Sequence, residues 1–286
     1  MVRGRLNPVN AVLLSCVGLG LGYVYVRRVG LAVIFVFFIY GSMAVVGWSR
    51  LILNPIFFYC FAAVVLAAGL FPVVHSARIA VHASSAPAKP YNRWWIYVLW
   101  TIASLILGYT FLAVRPTWFG FEPFRLVAYS MAPTLERGDF VMADAWRFDA
   151  ASPAYGDLVV FEYPSGSGVE FLERVVGLPG DTIEIRDDKL IRNGQSVDEA
   201  YVLLSPNSPE ALRNYAPHSV PECCYFVLGD NRHNARDSRF IGTVPREQLR
   251  GRIEYRWFAY NGGIRWNRFP EKLASDDTFN TRSLSE

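Results

Sequence analysis

The chain is poor in the residues from which metal sites and disulfide frameworks are built. Its 286 residues include only four cysteines and four histidines. No CxxC or HExxH spacing occurs, and Cys16 and Cys60 lie within apolar runs. Cys223 and Cys224 are neighbours in sequence, which is poor geometry for a disulfide between them. The sequence therefore predicts neither a disulfide scaffold nor a metal site.

Charged residues are also few. They make up 19% of the chain, with a net charge of +3 at pH 7 and no basic cluster of the kind that binds nucleic acid. Hydrophobic residues make up 52%, and most of this excess lies before residue 115. We therefore expect a membrane-associated N-terminal part, followed by an ordinary globular part, and no nucleic-acid partner.

Four apolar runs occupy residues 10–26, 29–48, 51–74 and 94–114. The last three have the length of about 20 residues that a helix needs to cross a bilayer. The first is short and rich in glycine, so a full span, a tilted span and a re-entrant hairpin all stay open. A cleaved signal peptide is disfavoured, because more apolar runs follow and no A-x-A site ends the run. We favour three spans plus a re-entrant or interfacial segment.

Basic residues give the expected orientation. They cluster at two places, Arg27–Arg28 and then Arg78, Lys89 and Arg93. The positive-inside rule places both clusters in the cytoplasm, so the chain after about residue 115 is expected outside it. Two arginines within the first five residues also favour the cytoplasm, which conflicts with a full crossing by the first run.

The part after residue 115 has the pattern of β-structure. Short alternating runs such as DLVVFEY and DTIEIRD are separated by turn residues, and DKLIRNGQSV carries an Asn-Gly hairpin signal. Gly-Asp pairs occur at 138–139, 156–157, 180–181 and 229–230. We expect the glycine to permit a turn and the aspartate to bond nearby backbone N–H groups. The RGD at 137–139 is accordingly predicted to be a turn and not an adhesion motif.

An aromatic stretch, TWFGFEPF, follows the last apolar run. It contains Trp118, Phe119, Phe121 and Phe124. Two interpretations stay open: a strand of the core, or an aromatic belt that holds the downstream domain against the membrane surface.

The stretch VAYSMAPTL places Ser130 directly before Met131, with Pro133 stiffening the turn behind it. Two further blocks follow, RVVGLPGD at 174–181 and GDNRHNARDSRFIG at 229–242. Together with GDLVVF at 156–161, they stand in the order of the blocks of bacterial type I signal peptidase (leader peptidase). Over about residues 120–260, roughly half its length, the chain resembles that family.

The resemblance implies a β-rich catalytic domain outside the cytoplasmic membrane. It also implies a serine endopeptidase that needs no cofactor and cleaves N-terminal signal peptides from exported precursors. The family's nucleophile maps onto Ser130. The family's base is a lysine immediately before the arginine of RVVGLPGD, and that position is Glu173 here. A free glutamate has a pKa of about 4.3 and is a poor base at neutral pH, although burial raises such values.

Two other residues depart from the family pattern. Ala128 stands where many members have a serine that donates to the oxyanion, and Ala235 where a serine often orients the lysine. His233 is a second candidate base because its titration range suits the role, the alternative being an exposed loop histidine. The remaining block residues are expected to support the site structurally: Met131, Pro133, Arg174, Asp230, Asn231, Asp237, Ser238 and Arg239.

Three functions stay open on the sequence. The first is a signal peptidase whose base is Glu173 or His233. The second is a catalytically inactive signal-peptidase-like protein that binds exported precursors or regulates their processing. The third is a relative with another target, such as a pilin-like or conjugation precursor. A buried Glu173 carboxyl within hydrogen-bond reach of Ser130 favours catalysis, whereas an exposed or arginine-paired Glu173 favours binding alone.

The predicted architecture is a set of α-helical transmembrane segments followed by a mainly-β, signal-peptidase-like exported domain. We expect a helical membrane anchor with its linker at 1–93, a final transmembrane helix at 94–115, a β-rich domain at 116–268 and a polar tail at 269–286. The expected location is the bacterial inner membrane, multi-pass, with the catalytic domain on the periplasmic side. Expected partners are signal-peptide-bearing precursors, the lipid bilayer and the secretion machinery.

Overall fold

A computed structural model describes residues 6–17, 19–82, 94–163, 166–205, 209–260, 262–265, 268 and 271–273, without the side chains of 114–119, 149–150 and 211. The chain forms two compact units, Met1–Phe119 and Gly120–Glu286. Their boundary lies a little beyond the predicted end of the final apolar helix at 115. The predicted linker before residue 94 falls largely outside the described residues.

The first unit is helical. Its elements are α1 (Pro8–Val17), α2 (Leu21–Tyr25), α3 (Val29–Trp48), a 3-10 turn (Leu51–Leu53), α4 (Pro55–His82) and α5 (Trp94–Phe119). Three helical stretches are long and apolar enough to cross a membrane: Val29–Trp48, Pro55–His82 and Trp94–Ala113. Large apolar side chains on all three face outward, among them Phe37, Leu66 and Leu105. Lipid tails are the solvent that suits such a surface.

The start of α4 illustrates how the sequence sets a helix boundary. Asn54 accepts hydrogen bonds at its Oδ1 from the N–H groups of Ile56 (3.0 Å) and Phe57 (3.2 Å), while Pro55 takes the first helical position, where no N–H is needed. Pro72 lies inside the same helix, a placement that membrane helices tolerate.

The first apolar run forms two short helices, α1 and α2, that break at Gly20, whose φ is +77°. Polar contacts attach this pair to the longer helices. Ser15 Oγ lies 3.1 Å from Ser76 Oγ, and the Tyr23 hydroxyl lies 3.0 Å from His75 Nδ1. The Trp100 indole N–H donates to the Leu19 carbonyl at 2.7 Å. The run therefore packs as a helical hairpin on α4 and α5, which is compatible with the favoured re-entrant interpretation.

The second unit is mainly β. Its strands are β1 (Phe121–Arg125), β2 (Asp139–Asp144), β3 (Leu158–Glu162), β4 (Glu170–Gly177), β5 (Thr182–Arg186), β6 (Lys189–Arg192), β7 (Gln195–Ser196), β8 (Tyr215–Ser219), β9 (Cys224–Leu228), β10 (Val244–Pro245), β11 (Leu249–Ala259) and β12 (Glu271–Lys272). Short helices accompany them: α6 (Arg147–Ala150), α7 (Glu210–Arg213), α8 (Ser238–Ile241) and a 3-10 turn (Arg246–Gln248).

Two antiparallel sheets organise these strands. The larger has the order β1-β2-β11-β3-β4-β9-β10, with β12 added to β11, and the smaller has the order β7-β6-β5-β8. Successive residues of β3 serve two cores, because strand side chains alternate between faces. Val160 packs with Met131 and Ile253 on one face, while Val159 packs with Val227 on the other. Both faces of the larger sheet are therefore covered at its centre, where β4 carries the candidate site.

The predicted turn is confirmed at three of the four Gly-Asp pairs. Gly138, Gly156 and Gly180 all have positive φ, and each following aspartate accepts a bond at Oδ2 from the N–H three residues earlier. The RGD at 137–139 is such a turn. The fourth pair, Gly229–Asp230, is different, since Gly229 lacks a positive φ and Asp230 binds an arginine.

The hairpin predicted in DKLIRNGQSV is also confirmed. Asn193 and Gly194 have φ values of +53° and +78° between β6 and β7. Of the aromatic stretch, Phe121 and Phe124 belong to β1, with Phe121 buried and Phe124 packed on a core cluster, as the core-strand interpretation requires. The side chains of Trp118 and Phe119 lie outside the described residues.

The predicted polar tail at 269–286 begins with residues that belong to the β domain. Glu271 and Lys272 form β12, paired with Arg256 and Tyr255 of β11, and Leu273 is buried against a core cluster. Strand pairing, the Arg256–Glu271 ion pair and the burial of Leu273 together attach this stretch to the sheet. The remainder of the predicted tail lies outside the described residues.

Candidate active site

Ser130 lies in the turn that connects β1 with β2. The neighbouring loop holds its backbone, because the Asn231 N–H donates to the Ser130 carbonyl at 2.8 Å and the Asn231 side chain donates to the Tyr129 carbonyl at 3.1 Å. On the other side, the Met131 side chain is buried in the core. The Ala132–Pro133 peptide bond, directly behind, is cis. The serine is thus held between an anchored core residue and a second loop.

Glu173 lies on β4, opposite Val159 of β3, and is only 1% exposed. Its carboxyl group forms a side-chain hydrogen bond with Ser130. Its Oε2 atom has no hydrogen-bond partner among the described residues. The structure therefore brings together the two residues that the sequence placed first in the catalytic set, and leaves one carboxyl oxygen unoccupied.

The surroundings of Glu173 disfavour its charged form. Burial, the main cause, raises the pKa of this carboxyl well above its usual range, and the negative charges of Asp237 and Asp230 raise it further. The hydrogen bond from Ser130 and the charge of Arg239 act in the opposite direction. A carboxyl with a raised pKa is a stronger base once it is ionised, but it holds its own proton to a higher pH.

The side chain of Arg174, the next residue of β4, points to the opposite face of the strand from Glu173. Its Nε and Nη2 atoms donate to the two carboxylate oxygens of Asp230 at 2.8 and 2.6 Å, and its Nη1 donates to the Gly156 carbonyl at 3.1 Å. Thr134 donates to the same Asp230 carboxylate at 2.5 Å. Both members of the ion pair are buried. This two-bond geometry connects the loop after β9 to β4.

A second ion pair closes the other end of that loop. Asp237 is completely buried and accepts from Arg239 Nε at 2.8 Å and from the Gly229 N–H at 3.1 Å. The Ser238 hydroxyl accepts from the Val227 N–H at 2.9 Å. These bonds give the Val227 and Gly229 N–H groups an acceptor, and the Asp237 charge lies close enough to act on Glu173.

The histidine proposed as an alternative base has other partners. His233 Nε2 lies 2.8 Å from Asp188 Oδ1, and its Nδ1 accepts from the Ser205 N–H at 2.9 Å. Its side chain is only 4% exposed, so the alternative of an exposed loop histidine does not describe it. Both ring nitrogens are engaged away from Ser130, and the geometry favours Glu173 as the group that exchanges a proton with the serine.

Gly229 is the site residue that the sequence did not single out beyond its turn. A Cβ atom at this position would lie 2.3 Å from the Ala235 Cβ, 2.8 Å from the Ser130 carbonyl oxygen and 2.9 Å from Glu173 Oε2. The glycine therefore lets serine, glutamate and loop approach one another. No sequence signal identifies it, because its conformation is one that any residue adopts and the crowding is tertiary.

A groove leads to this pair. Its cavity of about 420 Å³ is lined by residues that include Phe124, Val127, Ala128 and Val169 beside Ser130 and Glu173. Two strand edges border it: β1 pairs with β2, and the first half of β4 pairs with β3, each on one side within the described residues. Free strand edges and apolar walls suit an extended peptide with small side chains. Over the same described residues, no cluster of three or more His, Cys, Asp or Glu is arranged to hold a metal ion.

The family described as signal peptidase, peptidase S26, matches residues 94–258. The chain belongs to this family. A probable signal peptidase I-1 of Synechocystis is 32% identical over 171 residues, covering 57% of this chain and 84% of the relative. Signal peptidase I of Bacillus licheniformis is 32% identical over 168 residues, covering 57% of this chain and 89% of the relative. The crystal structure of a signal peptidase I from Enterococcus faecalis is 34% identical and covers 36% of this chain and 97% of that structure, with a TM-score of 0.32.

Family membership confirms the expected class of protein. It makes the chain a signal peptidase of the serine endopeptidase class, with apolar helices before a mainly-β domain. Signal peptidases of this kind are membrane proteins of bacteria. The pair formed by Ser130 and Glu173 lines the groove of this β domain.

Proposed function

We propose that this signal peptidase cleaves N-terminal signal peptides from exported precursors with Ser130 as nucleophile and Glu173 as general base. The observation that carries the proposal is the hydrogen bond between the Ser130 hydroxyl and the buried Glu173 carboxyl. A nucleophile and a base within hydrogen-bond reach, in the lining of a peptide-sized groove, satisfy the geometric requirement for acyl transfer.

Glu173 takes the place that the family gives to its lysine. Its position immediately before Arg174 supports this assignment, as does its contact with Ser130. Strand alternation supports it too, because Arg174 turns to Asp230 and leaves the Glu173 face to the serine. Arg174 therefore does not neutralise the carboxyl, and burial sets its proton affinity.

In the proposed reaction, one proton moves between Ser130, Glu173 and the leaving group. The ionised Glu173 accepts the Ser130 proton as Oγ attacks the scissile carbonyl carbon, and the Ser130 N–H is placed to donate to the oxyanion. The protonated Glu173 then gives the proton to the leaving amine, and the acyl-serine remains. Water repeats the sequence: Glu173 takes its proton, the hydroxide displaces Ser130 from the acyl group, and the proton returns to Oγ.

The precursor is expected to bind as an added strand. The free edges of β1 and of the first half of β4 supply backbone partners, and the apolar lining near Ala128 accepts small side chains next to the scissile bond. A pilin-like or conjugation precursor would bind to the same strand edges. The side chains that the groove accepts therefore decide which of these precursors is the target.

A second candidate function is binding without efficient cleavage. The raised pKa of Glu173 favours it, because a protonated carboxyl cannot accept the serine proton. Ala128 and Ala235 also carry no hydroxyl to assist an oxyanion or a base. In this case the chain holds exported precursors or regulates their processing, and the groove is its functional surface.

We place α3, α4 and α5 across the bacterial inner membrane and the β domain on its periplasmic side. The support is the length and apolar surface of the three helices, together with the basic residues Arg27, Arg28 and Arg78 at the ends that the positive-inside rule assigns to the cytoplasm. Precursors emerge on the periplasmic side, so the secretion machinery is a further expected partner.

Cleavage of a preprotein with an A-x-A site, in detergent from pH 5 to 9, tests the proposal. The unchanged protein should cleave at a rate that rises with pH, because the base acts only when ionised. Ser130→Ala should lower the rate by about 1,000-fold or more, and Glu173→Gln should abolish the pH dependence along with most activity. Ser219→Ala, at an exposed serine of β8, is the matched control and should cleave normally.

Two other outcomes would contradict the proposed mechanism. No cleavage by the unchanged protein up to pH 9, with activity gained in Glu173→Lys, would make the chain a scaffold without its base and establish the binding function. Cleavage that survives Ser130→Ala would overturn the nucleophile itself.

A further inference from the structure

The helical unit contains a cavity of its own, of about 620 Å³, and none of the residues assigned to peptide hydrolysis lines it. It is bordered by the turn between α2 and α3 and by α5. Two arginines, Arg27 and Arg28, line it together with Gly30, Ile34, Ile96 and Trp100. The cavity therefore places two arginine residues beside an apolar wall.

The apolar wall of this cavity is held in place by a hydrogen bond and is continuous with the outer surface of the helices. The Trp100 indole N–H is bonded to the Leu19 carbonyl at 2.7 Å, so its ring is fixed as part of the wall and its donor is already used. Ile34 is 64% exposed and belongs to the same outer face of α3 as Phe37 and Phe38. A chain lying in the cavity can therefore continue along α3 without leaving an apolar surface.

The two arginines of the cavity lie at the N-terminal end of a candidate membrane-spanning helix, α3. Arg28 directly precedes α3, and Arg27 is one residue earlier. Arginines at the end of a transmembrane helix reach the level of the lipid phosphates, and basic pockets between such helices bind anionic head groups. Arginine also binds phosphate through two parallel hydrogen bonds.

We propose that this cavity is a binding site for one anionic phospholipid, with its phosphodiester on Arg27 and Arg28 and an acyl chain against Ile34, Ile96 and Trp100. Charge complementarity selects the head group, and the apolar wall selects a lipid over a soluble phosphate. The inference rests on the proposed insertion of α3 in a bilayer and is independent of peptide cleavage.

Native mass spectrometry of the delipidated full chain in detergent tests the site. Dioleoyl phosphatidylglycerol and dioleoyl phosphatidylcholine, which share acyl chains, are titrated in parallel. A basic residue near a membrane surface contributes about fivefold to the binding of an anionic lipid, so the first phosphatidylglycerol should bind about 30-fold more tightly than phosphatidylcholine. The double variant Arg27→Gln/Arg28→Gln should lose this preference, and Arg27→Lys/Arg28→Lys should retain most of it.

Two further variants separate a built site from general surface charge. Arg50→Gln changes an arginine that follows the other end of α3 and should leave the preference intact. Gly30→Phe keeps both arginines but adds a ring where a Cβ atom meets open space, and should weaken the binding of both lipids about tenfold or more. Equal binding of the two lipids to the unchanged chain would overturn the proposal, as would an Arg50→Gln loss as large as that of the double variant.

Additional measurements distinguish failure of the lipid site from failure of the proposed peptidase function or of the proposed membrane insertion. Millimolar glycerol phosphate should not displace the lipid, and complete displacement would show a site for soluble phosphate instead. Ser130→Ala should bind phosphatidylglycerol normally, so loss of peptidase function and loss of the lipid site are read separately. If the chain does not co-float with neutral liposomes, the proposed insertion fails, and the lipid site fails with it.

Discussion

Replacing Glu173 with glutamine should make the β domain progressively more stable, relative to the unchanged protein, as the pH rises. The carboxyl is 1% exposed, its Oε2 lacks a partner among the described residues, and the Asp237 and Asp230 carboxylates lie near it. Burial and these charges hold its pKa well above the value of about 4.3 that it has in an unfolded chain. Ionising it therefore costs more in the folded protein than in the unfolded one.

The sign follows from proton counting. Between the unfolded and the folded pKa, the native state binds one proton more than the unfolded state, so the free energy of unfolding decreases as pH rises. The slope reaches about 1.4 kcal/mol per pH unit and vanishes above the folded pKa. Glutamine cannot ionise and removes this slope. Its amide N–H group faces the place of Oε2 and costs about 1–3 kcal/mol at every pH if it finds no acceptor.

Thermal unfolding of the full chain in detergent, followed by near-UV circular dichroism from pH 4.5 to 9, measures the difference. The unfolding temperature of Glu173→Gln relative to the unchanged protein should rise with pH by about 3–6 °C per unit within the window, from about 2–4 °C per kcal/mol for a domain of this size. Glu222→Gln, at an exposed carboxyl in the turn before β9, should show no such trend. A constant difference between Glu173→Gln and the unchanged protein across the whole range would refute the reasoning.

Three other predictions concern the same loop. Gly229→Ala should lower the free energy of unfolding by about 1–3 kcal/mol and impair cleavage, because the new Cβ would lie 2.3 Å from the Ala235 Cβ; unchanged denaturation midpoints would contradict the crowding. Asp230→Asn should destabilise by about 3–5 kcal/mol, since it leaves the buried Arg174 charge without its counter-charge; urea titration measures this, and a loss below about 1 kcal/mol would count against the ion pair. The single-turnover cleavage rate should increase about tenfold per pH unit up to the raised pKa of Glu173 and then level off, whereas a rate that falls with pH would indicate a different base.

Much of the fold follows from local sequence patterns. The predicted apolar run at 29–48 coincides with α3, because a bilayer-length apolar run has one stable backbone solution. The Gly-Asp turns and the Asn193–Gly194 hairpin were predictable for a similar reason, since backbone conformations with positive φ select their residues. The approach of Ser130 and Glu173 was predictable only through the resemblance, because they lie on different elements 43 positions apart in the sequence.

What could not be predicted depends on contacts between distant segments. The crowding at Gly229 leaves no local signature. The pairing of His233 with Asp188 joins the loop after β9 to the turn between β5 and β6, and neither segment carries a charge pattern that identifies the other. The path of the first apolar run was left open for the same reason: its hairpin depends on Ser76 and His75 of α4 as much as on its own glycines.

The alternation of β4 has a consequence for how such a protein can change over generations. Residue 173 faces the serine, while residue 174 holds the ion pair that orders the loop, and the two side chains form their hydrogen bonds with different residues. An exchange at 173 therefore alters the proton affinity of the side chain beside Ser130 without removing the Arg174–Asp230 pair. An exchange at 174 would remove that pair and leave residue 173 in place. Mutations at position 173 can therefore change the rate of hydrolysis, while the residue at position 174 preserves the fold of the loop. A line of descent can lose or regain hydrolysis in this way without losing the structure.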